Sequence, residues 1–213
     1  MAKYRSKSLL GKDSGSLEFN PNVACHSWQE LEQYTSSCQA CGLSKSRTQV
    51  VAGRYSKSKK ADLLIIGEGP GQKEDEQGLA FVGDSGALLD IMLNAVGLDS
   101  WYITNVVRCR PPNNRAPTKA ECLSCWGFLQ SEIVLVQPKA ILCLGKMATK
   151  TIINSSTKFE KMMRSSHQYF EYPVWVTYHP AYLLRQPQLS EYSPKWETWQ
   201  VLCRLKLYLT LKD

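Results

Sequence analysis

The sequence predicts an α/β protein, a three-layer α/β/α sandwich around a central four-stranded parallel sheet. Four short apolar runs carry the prediction: Leu63 to Ile66, Trp101 to Val107, Lys139 to Gly145 and Pro173 to Tyr178. Their length and near-continuous apolar character suit strands buried on both faces. Helical periodicity fills the intervals between them, the alternation that a parallel sheet requires. Each run ends in glycine, proline, asparagine or histidine, so polar chemistry collects at the carboxyl ends of the strands, where open sheets place their ligand crevice.

In chain order, residues 1–20 hold Lys3, Arg5, Lys7 and Lys12 among serines and glycines and read as a basic, disordered tail, leaving residues 21–213 as one domain. Ser27 caps a helix to about Tyr34, with Glu30 three residues on. Cys38-Gln39-Ala40-Cys41 follows, then an extended Thr48 to Val51 and a lysine-rich turn. After the first strand, Ala61 to Gly83 breaks into Gly67, Glu68, Gly69, Pro70 and Gly71, an acidic turn of Glu74, Asp75 and Glu76, and Phe81-Val82-Gly83. Leu88, Leu89, Met92, Leu93 and Val96 repeat at helical spacing up to Gly97, a C-terminal stop. The second strand runs into Arg108-Cys109-Arg110-Pro111-Pro112-Asn113-Asn114-Arg115, a loop by composition. Thr118 and Glu121 make a capping-box pattern for a helix to about Val136. A helix from Lys146 to about Ile153 follows the third strand, residues 155–170 carry little pattern, and the fourth strand leads to His179-Pro180-Ala181-Tyr182-Leu183-Leu184-Arg185. A last helix spans Trp196 to Leu209.

A hydrophobic fraction of 43% is that of a globular protein, and no run approaches the roughly 20 apolar residues of a membrane span. Leu9-Leu10 is too short for the core of a secretory signal, so a cytoplasmic monomer with no membrane partner is expected. The net charge of +7 favours a polyanion partner, nucleic acid first. Without an export signal, the eight cysteines read as thiols or metal ligands.

Cys38-x-x-Cys41 is a chelating pair, and a metal site needs further ligands. Cys122 with Cys125 supplies one set; Cys109 with Cys125 supplies another, and four thiolates suit zinc or an iron–sulfur cluster. The alternative for Cys122, and the reading for Cys25, Cys143 and Cys203, is a small buried packing residue. Glu68, Asn105 and His179 end three different strands and meet at one sheet edge, with Glu74, Asp75 and Phe81 nearby. Arg108, Arg110, Arg115 and Arg185 beside that edge suit phosphate contacts, and Leu183-Leu184 an apolar wedge between bases. A nucleotide-phosphate hydrolase is disfavoured, because Gly71 leads into Gln72-Lys73-Glu74 without the Lys-Ser/Thr of a Walker loop.

Together the blocks C-x-x-C-x-L…R-T, G-E-x-P-G-x-x-E-D-x-x-G-x-x-F-V-G-x-x-G-x-L-L-D, Y-I-T-N-V-V-x-C-R-P-P-x-N-R-x-P-T and H-P-A-Y-L-L-R, in order from Cys38 to Arg185, resemble the family 4 uracil-DNA glycosylases. The resemblance implies the glycosylase sandwich fold and hydrolysis of the N-glycosidic bond of uracil in DNA. It also implies a structural [4Fe–4S] cluster on Cys38, Cys41, Cys109 and Cys125, with Cys122 a bystander. Phe81 would stack on the flipped uracil, Asn105 would read its Watson–Crick edge, and His179 would sit by O2. Backbone N–H groups from Gly69 to Gly71 would wall the pocket, Glu68 would serve the attacking water, Asp75 the uracil pocket, and Glu74 would be third in line for catalysis. The usual glycine of P-P-G-N-R is Asn113 here, a residue that tolerates positive φ. The basic, His-terminated insertion of uracil-crosslinking relatives is absent, so turnover is expected. A non-catalytic iron–sulfur DNA-binding protein on the same fold is the alternative.

Overall fold

A computed structural model describes residues 25–153, 155–186 and 189–212; the expected basic tail lies outside them. Helix α1 (Trp28–Ser36) is capped by the Ser27 hydroxyl, which accepts from the Glu30 N–H at 3.1 Å. Strands β1 (Arg54–Tyr55) and β2 (Leu63–Gly67) come next, then α2 (Gln72–Gln77), α3 (Asp84–Ala95) and β3 (Trp101–Asn105). Helix α4 (Lys119–Val136), β4 (Ala140–Leu144), α5 (Gly145–Ile153) and the short α6 (Phe159–Met163) follow. Strands β5 (His167–Tyr169) and β6 (Tyr172–Thr177), a turn of helix α7 (Pro180–Leu183) and the closing α8 (Pro194–Thr210) complete the chain.

The sheet order is β1-β3-β2-β4-β6-β5. Strands β3, β2, β4 and β6 are mutually parallel, the expected four; β1 and β5 add short antiparallel edges. From β2 the chain moves one way to β3, then crosses back to β4 on the other side, so the topological switch lies at the carboxyl end of β2. Every residue of β2, β3 and β4 is buried, and side chains alternate between two cores. Leu64, Ile66 and Ile141 pack with Trp126, Leu129 and Ile133 of α4; Leu63, Ile65 and Leu142 pack with Leu89 and Leu93 of α3 and Leu202 and Leu205 of α8. That is the three-layer sandwich. No helix among the described residues is long and apolar enough to cross a membrane.

The α4 capping box forms as expected. The Thr118 hydroxyl accepts from the Glu121 N–H at 3.3 Å, and the Glu121 carboxylate accepts from the Thr118 N–H at 2.7 Å. The same carboxylate takes both arms of Arg115 at 2.7 and 2.8 Å, tying the proline loop to the helix. Arg115 beside it is the chief reason that the Glu121 carboxyl is held down at about 2. Stability from this pair is therefore complete above the ordinary carboxylate range and lost as pH falls towards about 2. Thr118→Ala should lower stability by about 1 kcal/mol, and Glu121→Gln should flatten the drop in melting temperature between pH 4.5 and 2; thermal unfolding across that range checks both.

Arg108, expected at the DNA face, is instead buried at 5% exposure, its guanidinium 2.5 Å from the fully buried Glu132 of α4. Glu132 also accepts from the Tyr102 hydroxyl at 2.7 Å. A buried carboxylate in α4 demands a partner, and Arg108 is what β3 delivers to it. Leu183, half of the expected wedge, is likewise fully buried, while Leu184 is 48% exposed.

Candidate active site

The carboxyl ends of β2, β3 and β6 open into a cleft of about 510 Å3 whose walls include Glu68, Phe81, Asn105 and His179. Gly67 pairs with Asn105 across the β2–β3 ladder, and the Val106 N–H donates to the Gly67 carbonyl at 2.9 Å. This register aims the Asn105 side chain into the space beyond β2. Asn105 is 3% exposed, and its Oδ1 has no hydrogen-bond donor among the described residues. A buried acceptor without a partner is disfavoured unless a ligand supplies the donor.

Gly67 is required by its neighbours. A Cβ there would lie 2.5 Å from both Asn105 Oδ1 and Phe81 Cζ. Gly67→Ala should therefore cost about 1–3 kcal/mol of stability through overpacking. It should also displace both groups from the cleft and lower kcat; calorimetry with steady-state kinetics checks the pair of effects.

Phe81 has φ 56, a left-handed conformation that is unusual for an aromatic residue. Two neighbours hold it there. Arg54 donates to the carbonyls of Ala80 and Phe81 at 3.2 and 3.1 Å and is anchored by both oxygens of Asp90. Gly86 of α3 comes so close that a Cβ would strike the Phe81 carbonyl. The Phe81 ring stands 5.8 Å from the His179 ring, tilted by 32°. Arg54 had no motif to reveal it; its role follows from β1, an edge strand of two residues.

His179 caps α7. Its Nδ1 accepts the Ala181 N–H at 3.1 Å, so the neutral ring carries its proton on Nε2. Burial is the main cause that depresses its pKa to about 4, and the Arg185 guanidinium adds to the effect. The imidazole at pH 7 is thus a neutral donor.

The three carboxylates separate cleanly. Asp75 is 3% exposed, and both its oxygens accept the Thr48 N–H at 3.0 and 3.1 Å. It is absent from the cleft wall, which corrects its expected place in the uracil pocket: the first turn of α2 points it back at the incoming chain. Glu74 reaches the cleft, but its oxygens accept the N–H groups of Gly71 at 3.1 Å and Gly83 at 2.8 Å. It latches the two glycine turns together. Glu68 lines the cleft with no hydrogen bond or ion pair among the described residues, and burial raises its pKa above the ordinary range. The glycine wall also needs revision: Pro70 has no N–H and that of Gly71 is taken by Glu74, leaving Gly69, whose N–H has no partner among the described residues.

Arg115 and Arg185 line the same cleft, and Leu184 is exposed beside Arg185. Arg110 is half-buried on the proline loop, where its Nε donates to Asn114 Oδ1 at 2.8 Å. Asn113 indeed takes positive φ, at 55°, as does Asn114 at 53°.

Cys38, Cys41, Cys109 and Cys125 come from three chain segments and surround one small cavity, lined otherwise by Arg47, Arg108 and apolar groups such as Val50 and Phe128. Arg47 donates to Cys109 Sγ at 3.1 Å and to the Cys38 carbonyl at 2.7 Å. Among the described residues no three thiols close on a point that one metal ion would occupy. Burial pushes the Cys125 thiol up to about 12 and raises Cys109 as well. Cys122, one turn before Cys125, is buried outside this cavity, Cys25 and Cys143 are buried too, and Cys203 is partly exposed.

The cleft thus brings together an aromatic ring, a buried amide and a neutral imidazole. Comparison with known proteins gives the family. A profile of the "Uracil DNA glycosylase superfamily" matches residues 54–203. The chain is 38% identical over 181 residues to the type-4 uracil-DNA glycosylase of Archaeoglobus fulgidus, covering 80% of this chain and 90% of that protein. It is 38% identical over 176 residues to the type-4 enzyme of Sulfurisphaera tokodaii, covering 78% and 79%, and 36% identical over 165 residues to that of Thermotoga maritima, covering 73% and 82%. The chain belongs to the uracil-DNA glycosylase superfamily and, within it, to the type-4 family.

Proposed function

We propose that the protein is a uracil-DNA glycosylase that flips uracil out of DNA, hydrolyses its N-glycosidic bond and leaves an abasic site. The observation that carries this beyond family membership is the buried Asn105 Oδ1, without a donor among the described residues, in a cleft that Phe81 also lines. Uracil N3–H supplies that donor, and the amide N–H of Asn105 meets O4. Cytosine presents an acceptor at N3 and a donor at position 4, so the same amide orientation is mismatched at both.

The target bond is unreachable within the stack, and extrusion brings the base between Phe81 and the glycine turn. As the bond breaks, negative charge develops on the base and positive charge on the sugar. The neutral His179 donates from Nε2 to uracil O2, and the Gly69 N–H adds a fixed dipole. Glu68, without a hydrogen bond or ion pair among the described residues and with a raised pKa, orients the attacking water and takes its proton. Arg115 and Arg185 on the cleft wall would meet phosphates, and Leu184, exposed next to Arg185 in the chain, would enter the vacated stack. Arg108 and Leu183 have no part in this.

The four thiols around one cavity are the ligand count of an iron–sulfur cluster and support that reading of the site. The positive charge of Arg47 beside Cys109 suits a ligating thiolate. Bound there, the cluster would act as a cross-link joining the chain before β1, the loop after β3 and α4.

Incubating the purified protein with single- and double-stranded uracil DNA tests the central reading; free uracil and alkali-labile abasic sites are expected, and salt-sensitive binding without base release would overturn it. Elemental analysis of a brown protein should find iron and sulfide in equal amounts, whereas a colourless sample with stoichiometric zinc would contradict the cluster.

A further inference from the structure

A groove of about 360 Å3 lies between α6 and the N-terminal half of α8. Tyr192 and Trp196 stand on its wall with rings 5.3 Å apart, and Arg164 and Arg204 flank them. Tyr192 is 75% exposed, so packing within this chain does not account for it. Glu197, the acid among the groove's described lining residues, is ion-paired with Arg164 at 2.8 Å and accepts a hydrogen bond from the Tyr178 hydroxyl at 3.0 Å. Arg204 makes only a local hydrogen bond, from Nε to the Gln200 carbonyl at 3.3 Å, and has no ion pair among the described residues.

Side-chain contacts link this groove to the cleft. Tyr182 lines the cleft and stacks on Tyr178 with ring centroids 5.2 Å apart and planes at 27°; Tyr178 then bonds Glu197 in the groove. Lys195 ties the start of α8 to the segment after Arg185 through the Gln186 carbonyl at 3.2 Å. Aromatic faces for bases and an unpaired arginine for a phosphate, linked by contacts to the candidate uracil cleft, are what proteins use to hold single strands.

We propose that the groove is a track for the unpaired DNA strand that leaves the cleft past Tyr182, with bases stacking on Tyr192 and Trp196 and a phosphate meeting Arg204. The proposal rests on the cleft being the uracil site. It gives the enzyme an affinity for single-stranded flanks that does not depend on uracil.

The test uses the full chain carrying Tyr192→Asn, chosen because asparagine tolerates the φ of 62 found there, together with Arg204→Gln. Binding of a uracil-free oligothymidine, followed by fluorescence anisotropy, should weaken roughly tenfold, and the slope of log affinity against log salt should shrink by about 0.7. With the uracil placed near either end of a single-stranded oligonucleotide, lengthening the flank on one side should lower KM for the unaltered protein and not for the variant. On a substrate with minimal flanks, the two should match in kcat and KM. Equal oligothymidine affinity and equal flank dependence in both proteins, as expected if the groove receives a protein segment instead, would overturn the track. Absence of uracil release by the unaltered protein would sink the active-site reading, while the anisotropy arm still judges the groove.

Discussion

His179→Asn should lower kcat for uracil release by about 10²–10³-fold, equivalent to about 2.7–4 kcal/mol of barrier, the usual effect of losing one preorganised donor to a developing anion. Asparagine is the informative replacement because His179 has two tasks. Its Nδ1 accepts the Ala181 N–H and caps α7, a role that an asparagine side chain fills well. The Nε2–H that faces the cleft has no counterpart in the shorter amide. Stability near neutral pH should therefore change little while catalysis collapses. The pH dependence supplies a second readout. Burial lowers the folded pKa of His179 from 6.5 to about 4, so the unfolded chain binds the extra proton first. Stability linked to this group is complete above pH 6.5 and falls as pH drops towards about 4. That component should vanish in the variant. A variant with unchanged kcat would remove His179 from the reaction.

The parts of the site that could be read from sequence were those in which a residue type ends a strand. Asn105 and His179 follow buried apolar runs, and the position at a strand's end already brings them to one edge. The central strands were legible for the same reason: β2, β3 and β4 are buried on both faces, and β6 is buried in part. Edge strands β1 and β5 were not: two and three residues are too few to show a period, and the turn joining β5 to β6 uses Phe170 at φ 50 where a glycine or asparagine would have signalled it. Helix α8 begins two residues earlier than its apolar pattern, because Ser193 caps it and Pro194 takes the first helical position. Partnership was harder still to read. Arg108 and Arg110 differ by one turn of loop, yet the first meets Glu132 inside the protein and the second stays half-exposed on the proline loop. Glu132 sits in a helix buried round much of its girth, where a single carboxylate gives no periodic warning. Leu183 and Leu184 are divided in the same way by one helical step of α7.

The acidic block is where geometry adds most, and Glu68→Gln is its decisive test. The substitution keeps shape and removes charge, and kcat should fall by about 10²–10⁴-fold, the range of a lost general base. Substrate binding should persist, since Glu68 holds no other group in place. Because burial raises the folded pKa of Glu68, protonation favours the folded state. The group's contribution to stability is present at low pH and lost as pH rises through that raised pKa. At pH 7 Glu68→Gln should therefore be at least as stable as the unaltered protein, and the acidic limb of its pH–rate profile should disappear. Glu74→Gln should behave differently. Its amide can accept only through one oxygen, so one of the two N–H groups, from Gly71 or Gly83, loses its partner. The expected result is lower melting temperature and raised KM from a loosened pair of turns, with the acidic limb intact. If Glu74→Gln instead abolishes that limb while Glu68→Gln retains it, the water belongs to Glu74 and the latch is the carboxylate's second role.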